Sequence, residues 1–379
     1  MWDFPAATRH RNREGQQMIA MPTDQPDQGD AQPHRRRPRY RGTHPRTYDE
    51  KYKEQNIAAH PDLEARLQAK GQTPVSTHIP VLAEEVMQAL CPRPGEVVAD
   101  CTVGYGGHAL EFMKRIGPTG RLIGFDVDQD ELERARQRLN QESTPTSLHR
   151  SNFAGLAKVL GPEQLEGYDI IFADLGISSM QIDNPARGLS YRHEGPLDMR
   201  MDHRLQQTGA DLLATLSREE LASAFRELAD EPDCEQIAAR IVDRRAVQAI
   251  RLTSQLVELV MEVKGTTPRR WRQQQRRQPA HTLHPAARTF QALRILINDE
   301  LGALRQLLRL APYCIRPGGR MGIISFHSGE DRLVKHAFRD GVRDGTYQRA
   351  STDVIVPQAR ERAYNPRSTS AKFRWAAKA

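Results

Sequence analysis

A glycine-rich loop and two carboxylates are the residues of this chain best placed to do chemistry. The run Asp100-Cys101-Thr102-Val103-Gly104-Tyr105-Gly106-Gly107-His108-Ala109 follows a short apolar stretch and precedes a helical one. Glycines between a strand and a helix let a ligand approach the backbone and meet the free amides of the helix N-terminus. Gly104, Gly106 and Ala109 fit the G-x-G-x-x-G/A spacing. Asp126 lies 22 residues beyond Gly104, close to the ~20-residue spacing at which an acid accepts ribose hydroxyls. Glycines that merely form a tight turn would not need that acid. The pattern reads as a site for a nucleoside-containing cofactor, and it suits a nicotinamide dinucleotide and S-adenosylmethionine equally.

Three further loops carry polar clusters: Asp174-Leu175-Gly176-Ile177-Ser178-Ser179, Gly195 to Asp202, and Ser325-Phe326-His327-Ser328-Gly329-Glu330-Asp331-Arg332. Taken singly, each polar residue is most simply a helix cap or a loop hydrogen bond. Several of them at strand ends argue jointly for a site, because open α/β sheets bind ligands at the carboxyl ends of their strands.

The elements that must position these loops follow from pattern. Val97 to Asp100, Arg121 to Asp126, Thr146 to Arg150, Tyr168 to Asp174 and Arg320 to Phe326 read as strands. Asp128 to Glu142 and Thr289 to Leu310 read as helices. Alternation of the two predicts an α/β protein with a parallel sheet covered on both faces. Asp353 to Val356 and Lys372 to Ala377 have no helix between them and predict an antiparallel pair at one edge. The alternation stops between 186 and 286. There Ser217 and Glu220 form a capping box, and Leu221, Ala224, Phe225, Leu228, Ile237, Ile241, Leu256, Leu259, Val260 and Val263 recur at helical spacing. This is a helical module inserted into the sheet.

The chain has 379 residues, a formal charge of +7 and a pI of about 9.3, a balance that favours a polyanionic partner. Residues 1–73 are poor in apolar side chains and carry the block Arg35-Arg36-Arg37-Pro38-Arg39-Tyr40-Arg41. They predict a disordered basic extension, either an RNA-grazing arm or a solvated tail. A second basic stretch contains Arg269, Arg270, Trp271, Arg272, Arg276 and Arg277. Guanidinium groups interleaved with an aromatic suit phosphate contact and base stacking; the plainer reading is a mobile loop. The four cysteines Cys91, Cys101, Cys234 and Cys314 are widely spaced and predict neither a disulfide framework nor a metal site. No apolar stretch of about 18 residues predicts a membrane span. A cytoplasmic protein with reduced thiols is expected, and a homodimer stays open.

At the level of whole motifs the chain resembles the bacterial ribosomal RNA small subunit methyltransferase H family. The resemblance is carried by His78-Ile79-Pro80-Val81-Leu82, Gly104 to His108, Asp174 to Asp183, Arg187-Gly188-Leu189-Ser190, Gly195 to Asp202, His284 to Ala292, Ile324 to Arg332 and Asn365-Pro366-Arg367, in order over residues 77–379. Cys101, Val103, Leu228 to Glu231 and Gly329 depart from the family pattern. The resemblance implies a class I (Rossmann-like) methyltransferase sheet with an inserted all-helical domain. The methyltransferase parts would be 74–185 and 287–379, and the substrate-recognition insert 186–286. It implies S-adenosylmethionine as cofactor, no metal, and methylation of the exocyclic N4 amine of a cytosine in the decoding region of 16S rRNA within the small ribosomal subunit. Matched residue by residue, the cofactor contacts would be Gly106, Gly107, His108, Asp126, Phe153, Asp174 and Gln181. Asp174 has a competing role, as the catalytic acceptor of an amine hydrogen. The ring stacking on the base would be Tyr191 or Phe326. The alternatives are a nicotinamide-dependent dehydrogenase and a non-catalytic rRNA-binding factor on the same fold.

Overall fold

Short apolar runs rich in Val, Ile and Phe become strands because helices bury both of their faces. The computed structural model describes residues 80–275 and 282–379. The basic extension 1–73, His78, Ile79, Arg276 and Arg277 lie outside the described residues. The strands are β1 (Val97–Asp100), β2 (Arg121–Asp126), β3 (Thr146–Arg150), β4 (Tyr168–Asp174), β5 (Ile315–Ser325), β6 (Tyr347–Ala350) and β7 (Lys372–Lys378). They form one sheet in the order β3-β2-β1-β4-β5-β7-β6. The first five are parallel, and β7 runs antiparallel between β5 and β6. The strand order reverses direction between β1 and β4, which opens a crevice at their carboxyl ends.

Helices α1 (Ala83–Leu90), α2 (Gly107–Ile116) and α3 (Gln129–Leu139) pack Leu90, Phe112 and Leu132 against Val98, Ile170, Phe172 and Ile324 on one face of the sheet. On the other face, α4 (Ala157–Leu160) follows β3. After β4 come α5 (Ser179–Asp183) and then α6 (Gly209–Thr215), α7 (Arg218–Ala229), α8 (Cys234–Val247), α9 (Thr253–Val263) and α10 (Pro268–Gln275). The chain returns through α11 (Ala287–Asn298) and α12 (Glu300–Cys314), and α13 (Ser328–Arg343) and α14 (Ala359–Tyr364) complete it. Leu304 and Leu307 of α12, with Val334 and Phe338 of α13, cover Ile171, Ala173 and Ile323 on the second face. The insert has its own core, built on Phe225, Ile237, Ile241, Leu256 and Val260. Phe290 and Leu293 of α11 belong to that core.

Two expectations are corrected. The stretch 289–310 is two helices, not one: Asp299 takes a left-handed conformation at φ 47°, which Asp tolerates better than most residues. The break turns the chain from the insert core to the sheet. Asn298 anchors it, donating to the Met199 carbonyl at 2.9 Å and accepting from the Met201 amide at 2.7 Å. At the sheet edge, the strand beside β7 is Tyr347–Ala350 rather than 353–356. Tyr347 buries its ring against Phe338, whereas Val356 is exposed and precedes a proline. Of the expected strand only Ile355 bridges to Phe373. Among the described residues no helix is long and apolar enough to cross a membrane.

Candidate active site

The glycine loop leaves β1 at Asp100 and enters α2 at Gly107. Gly104 and Gly106 have φ of 50° and 91°, a backbone that side chains rarely adopt. No side chain caps α2, so its first amides stay free for a ligand. Asp126 ends β2 and is fastened to this loop. Its Oδ2 accepts from the Gly104 amide and its Oδ1 from the Asp128 amide, both at 2.9 Å. Burial, with Asp128 and Asp100 nearby as like charges, pushes its pKa up to about 7.

Asp100 is a further candidate that motif reading passed over, although it heads the loop. It is buried, its Oδ1 accepts from the Thr102 amide at 3.2 Å, and its Oδ2 has no partner. Burial pushes its pKa up to about 7. Asp174 stands close by at the end of β4. Its amide donates to Thr102 Oγ1 at 2.6 Å, and its Oδ1 is buried without a partner. The side chain keeps 24% exposure, so a ligand can reach it. Burial raises the Asp174 pKa well above the ordinary range, and the charges of Asp100 and Glu330 add to this. Two buried carboxylate oxygens on adjacent strands have no partner in the protein, which a proton on the carboxyl, an ordered water or a ligand donor would satisfy.

His108 turns its side chain inward. Nε2 lies 2.9 Å from the Val81 carbonyl, the ring packs 4.6 Å from Phe172, and Nδ1 is 3.6 Å from Asp174 Oδ2. Burial lowers its pKa to about 4. A neutral ring that donates from Nε2 therefore points its Nδ1 lone pair toward Asp174. Gln181 is similarly engaged: Oε1 accepts from the Ser178 amide at 2.9 Å and Nε2 donates to Asp128 Oδ2 at 2.7 Å. Phe153 opens the turn after β3, half-buried against the second core, and the Ser151 amide there donates to the Asp126 carbonyl. Gly106, Gly107, His108, Asp126, Phe153, Asp174 and Gln181 thus all lie along the carboxyl edge of β1 to β4.

A tertiary link invisible to motif reading joins this edge to the insert. Asp128 Oδ2 also accepts from Arg187 Nη2 at 2.7 Å, and both side chains are buried. Arg187 donates further to the carbonyls of Arg200 and Met201. The loop beyond it pairs with α9 through Leu197 and Arg251 and through Thr253 and Gly195. Gly188 must be glycine, since a Cβ would fall 2.0 Å from the Pro196 carbonyl oxygen.

The basic stretch needs a correction. Arg269, Arg270 and Arg272 are exposed on α10, but Trp271 is buried in the insert core. Helical spacing sends the indole inward, edge-on to His284 at 5.8 Å. The interleaved aromatic is a packing residue and offers no stacking surface.

With this geometry in view, comparison with known proteins gives a consistent answer. The profile of the MraW methylase family matches residues 75–379. "Ribosomal RNA small subunit methyltransferase H 1" of Lachnoclostridium phytofermentans is 40% identical, covering 94% of this chain and 96% of that protein. "Ribosomal RNA small subunit methyltransferase H 2" of Alkaliphilus metalliredigens is 39% identical over 91% of this chain and 97% of its own. "Ribosomal RNA small subunit methyltransferase H" of Symbiobacterium thermophilum is 45% identical over 69% of this chain and 79% of its own. Coverage of 94% cannot be reached without entering the first 73 residues, so part of the basic extension has a counterpart in the first of these relatives.

Proposed function

The chain belongs to the MraW methylase family, and from that premise we propose that it methylates the exocyclic N4 amine of a cytosine in the decoding region of 16S rRNA, within the small ribosomal subunit. One observation supports the chemistry above all. Asp126 and Asp174, at the carboxyl ends of β2 and β4, flank the glycine loop, and Asp174 keeps a buried oxygen free for a donor. The two other readings open at the sequence level, a nicotinamide-dependent dehydrogenase and a non-catalytic rRNA-binding factor, find no support in the relatives.

The residues fit the cofactor. S-adenosylmethionine supplies a methyl group already activated by its sulfonium. Asp126 is the acceptor for ribose hydroxyls, and the uncapped amides of α2 with Gly106 and Gly107 suit the polar end of the molecule. Asp100 Oδ2 and Asp174 Oδ1 are acceptors for an ammonium or an amine. In our reading Asp174 holds one hydrogen of the cytosine amine, drawing the nitrogen lone pair out of conjugation with the ring. Attack on the ring carbon instead would need a thiolate. Cys101, the cysteine in the glycine loop, is buried, and burial holds its thiol well above the usual range. We assign presentation of the RNA to the helical insert, 186–286, with the exposed arginines of α10 on phosphates.

Mass spectrometry of small-subunit rRNA from cells lacking the gene tests the reading. It predicts loss of one methyl group from a cytosine amine, restored when purified enzyme and S-adenosylmethionine are added to the isolated particle. An unchanged methylation pattern refutes it, and equal rates on free cytidine would remove the role of the particle.

A further inference from the structure

Sequence leaves two aromatic rings, Tyr191 and Phe326, as stacking partners for the target base. We propose that Phe326 is that ring and that, together with the Asp174 carboxyl, it forms the base subsite. The inference rests on the functional reading above and deepens it.

Strand parity carries the argument. In the parallel ladder Asp174 pairs with Ile324, so their side chains share a face of the sheet. Phe326 stands just past the strand end, and it packs against the same cluster that holds Ile324 and Phe172, which keeps it on that face. Phe172 lies there too, paired with Asp100, and His108 packs on it beside Asp174. Phe326 is half-buried: part of its ring packs against the first-face core, and the rest stays open. Its backbone is fixed, because Glu330 Oε2 accepts from the Phe326 amide at 2.9 Å. Gly176, two residues past Asp174, approaches the ring; a Cβ built there would lie 3.7 Å from Phe326 Cδ2. The ring therefore borders the loop that carries the acceptor carboxyl. Tyr191, by contrast, is already spent on the insert. It stacks on His284 at 4.3 Å and 11° and meets Phe290 edge-on at 5.9 Å.

The test compares Phe326→Met, Phe326→Tyr and Tyr191→Leu with wild type on small-subunit particles lacking the methyl group. Methionine keeps most of the apolar volume, so the first variant retains most of its packing. Loss of the ring should lower kcat/KM for the particle roughly 5- to 150-fold, the range that base–aromatic stacking supports. Phe326→Tyr should stay within a few-fold of wild type. Calorimetric affinity for S-adenosylmethionine should be unchanged in all three; the melting temperature should hold in the two Phe326 variants and fall in Tyr191→Leu, which gives up the His284 and Phe290 ring contacts. A 2-aminopurine in place of the target cytosine should be quenched by wild type and by Tyr191→Leu, but not by Phe326→Met. Wild-type kinetics in Phe326→Met, or a loss of quenching confined to Tyr191→Leu, overturns the assignment. A wild-type enzyme silent on the particle would instead refute the functional reading and this inference with it.

Discussion

At the scale of single residues, the site is a set of carboxylates held where water is scarce. Asp126 has both oxygens on backbone amides, yet its pKa is pushed up to about 7 by burial. In the proposed cofactor role, ribose hydroxyls donate to the charged form, so binding them favours ionisation. Affinity for S-adenosylmethionine should therefore rise with pH up to about 7 and level off above it. Asp126→Ala should weaken binding roughly 10- to 100-fold, the worth of hydrogen bonds to a charged acceptor. Titration calorimetry across pH checks both; an Asp126→Ala variant of full affinity would remove this residue from the site. Asp174 separates kinetically into its two roles. As amine acceptor, Asp174→Ala should cut kcat by a hundredfold or so while cofactor affinity holds; as cofactor ligand, affinity falls with rate. Asp174→Asn keeps an acceptor oxygen and should be milder in the first case. The charged carboxylate is the stronger acceptor, and burial raises its pKa well above the ordinary range. The pH–rate profile should accordingly lose activity on its acid side at a pH well above that of a free carboxylate.

At the scale of elements, two features decide how the insert serves the sheet. Arg187 is the buried pin between the turn carrying Asp126 and the loop that pairs with α9. Arg187→Ala leaves Asp128 buried with an uncompensated charge, which costs about 3–5 kcal/mol. Chemical denaturation should show that loss; a variant within about 1 kcal/mol of wild type would contradict the pin. Arg269, Arg270 and Arg272 form the exposed face of α10. Reversing them to Glu should raise KM for the particle and reduce the slope of log KM against log salt by about 0.7 per lost phosphate contact. Cofactor affinity should not change. An unaltered salt slope would make α10 a merely solvated helix.

At the scale of the whole molecule, the buried acids set how stability responds to pH. Asp100, Asp126 and Glu131 each have their pKa raised to about 7, in every case chiefly by burial. Unfolded, they titrate near 4. Between those values the folded chain holds protons that the unfolded chain has released, so stability falls as pH rises from about 4 to about 7 and is constant above. The cofactor-free protein should thus melt higher at pH 5 than at pH 8. Asp100→Asn removes one ionisation at little change of shape. It should raise the melting temperature at pH 8, by roughly 2–4 °C per kcal/mol recovered, and by only about a third as much at pH 5, where the unfolded carboxyl has begun to release its proton. An equal shift at both pH values would show that charge is not the cause.

Local pattern determined a good deal here. The glycine loop, Asp126, the parallel sheet and the helical interruption were all legible, because strand and helix periods and turn residues are local properties of the chain. The capping box of Ser217 and Glu220 stands as expected. Local pattern misled where a non-local contact chose the outcome. Val354 to Val356 has strand composition, but Tyr347–Ala350 takes the edge because its tyrosine finds a buried partner. Trp271 sits among arginines in sequence, yet the helix turns it into the core. Asp299 breaks what periodicity presents as one helix, since the two halves bury their apolar faces against different cores. The choice between Tyr191 and Phe326 depends on ladder register and on His284, and the Arg187–Asp128 pin on the packing of insert against sheet. Such pairings link residues far apart in the chain, and only tertiary structure decides which burial and which hydrogen bonds are satisfied together.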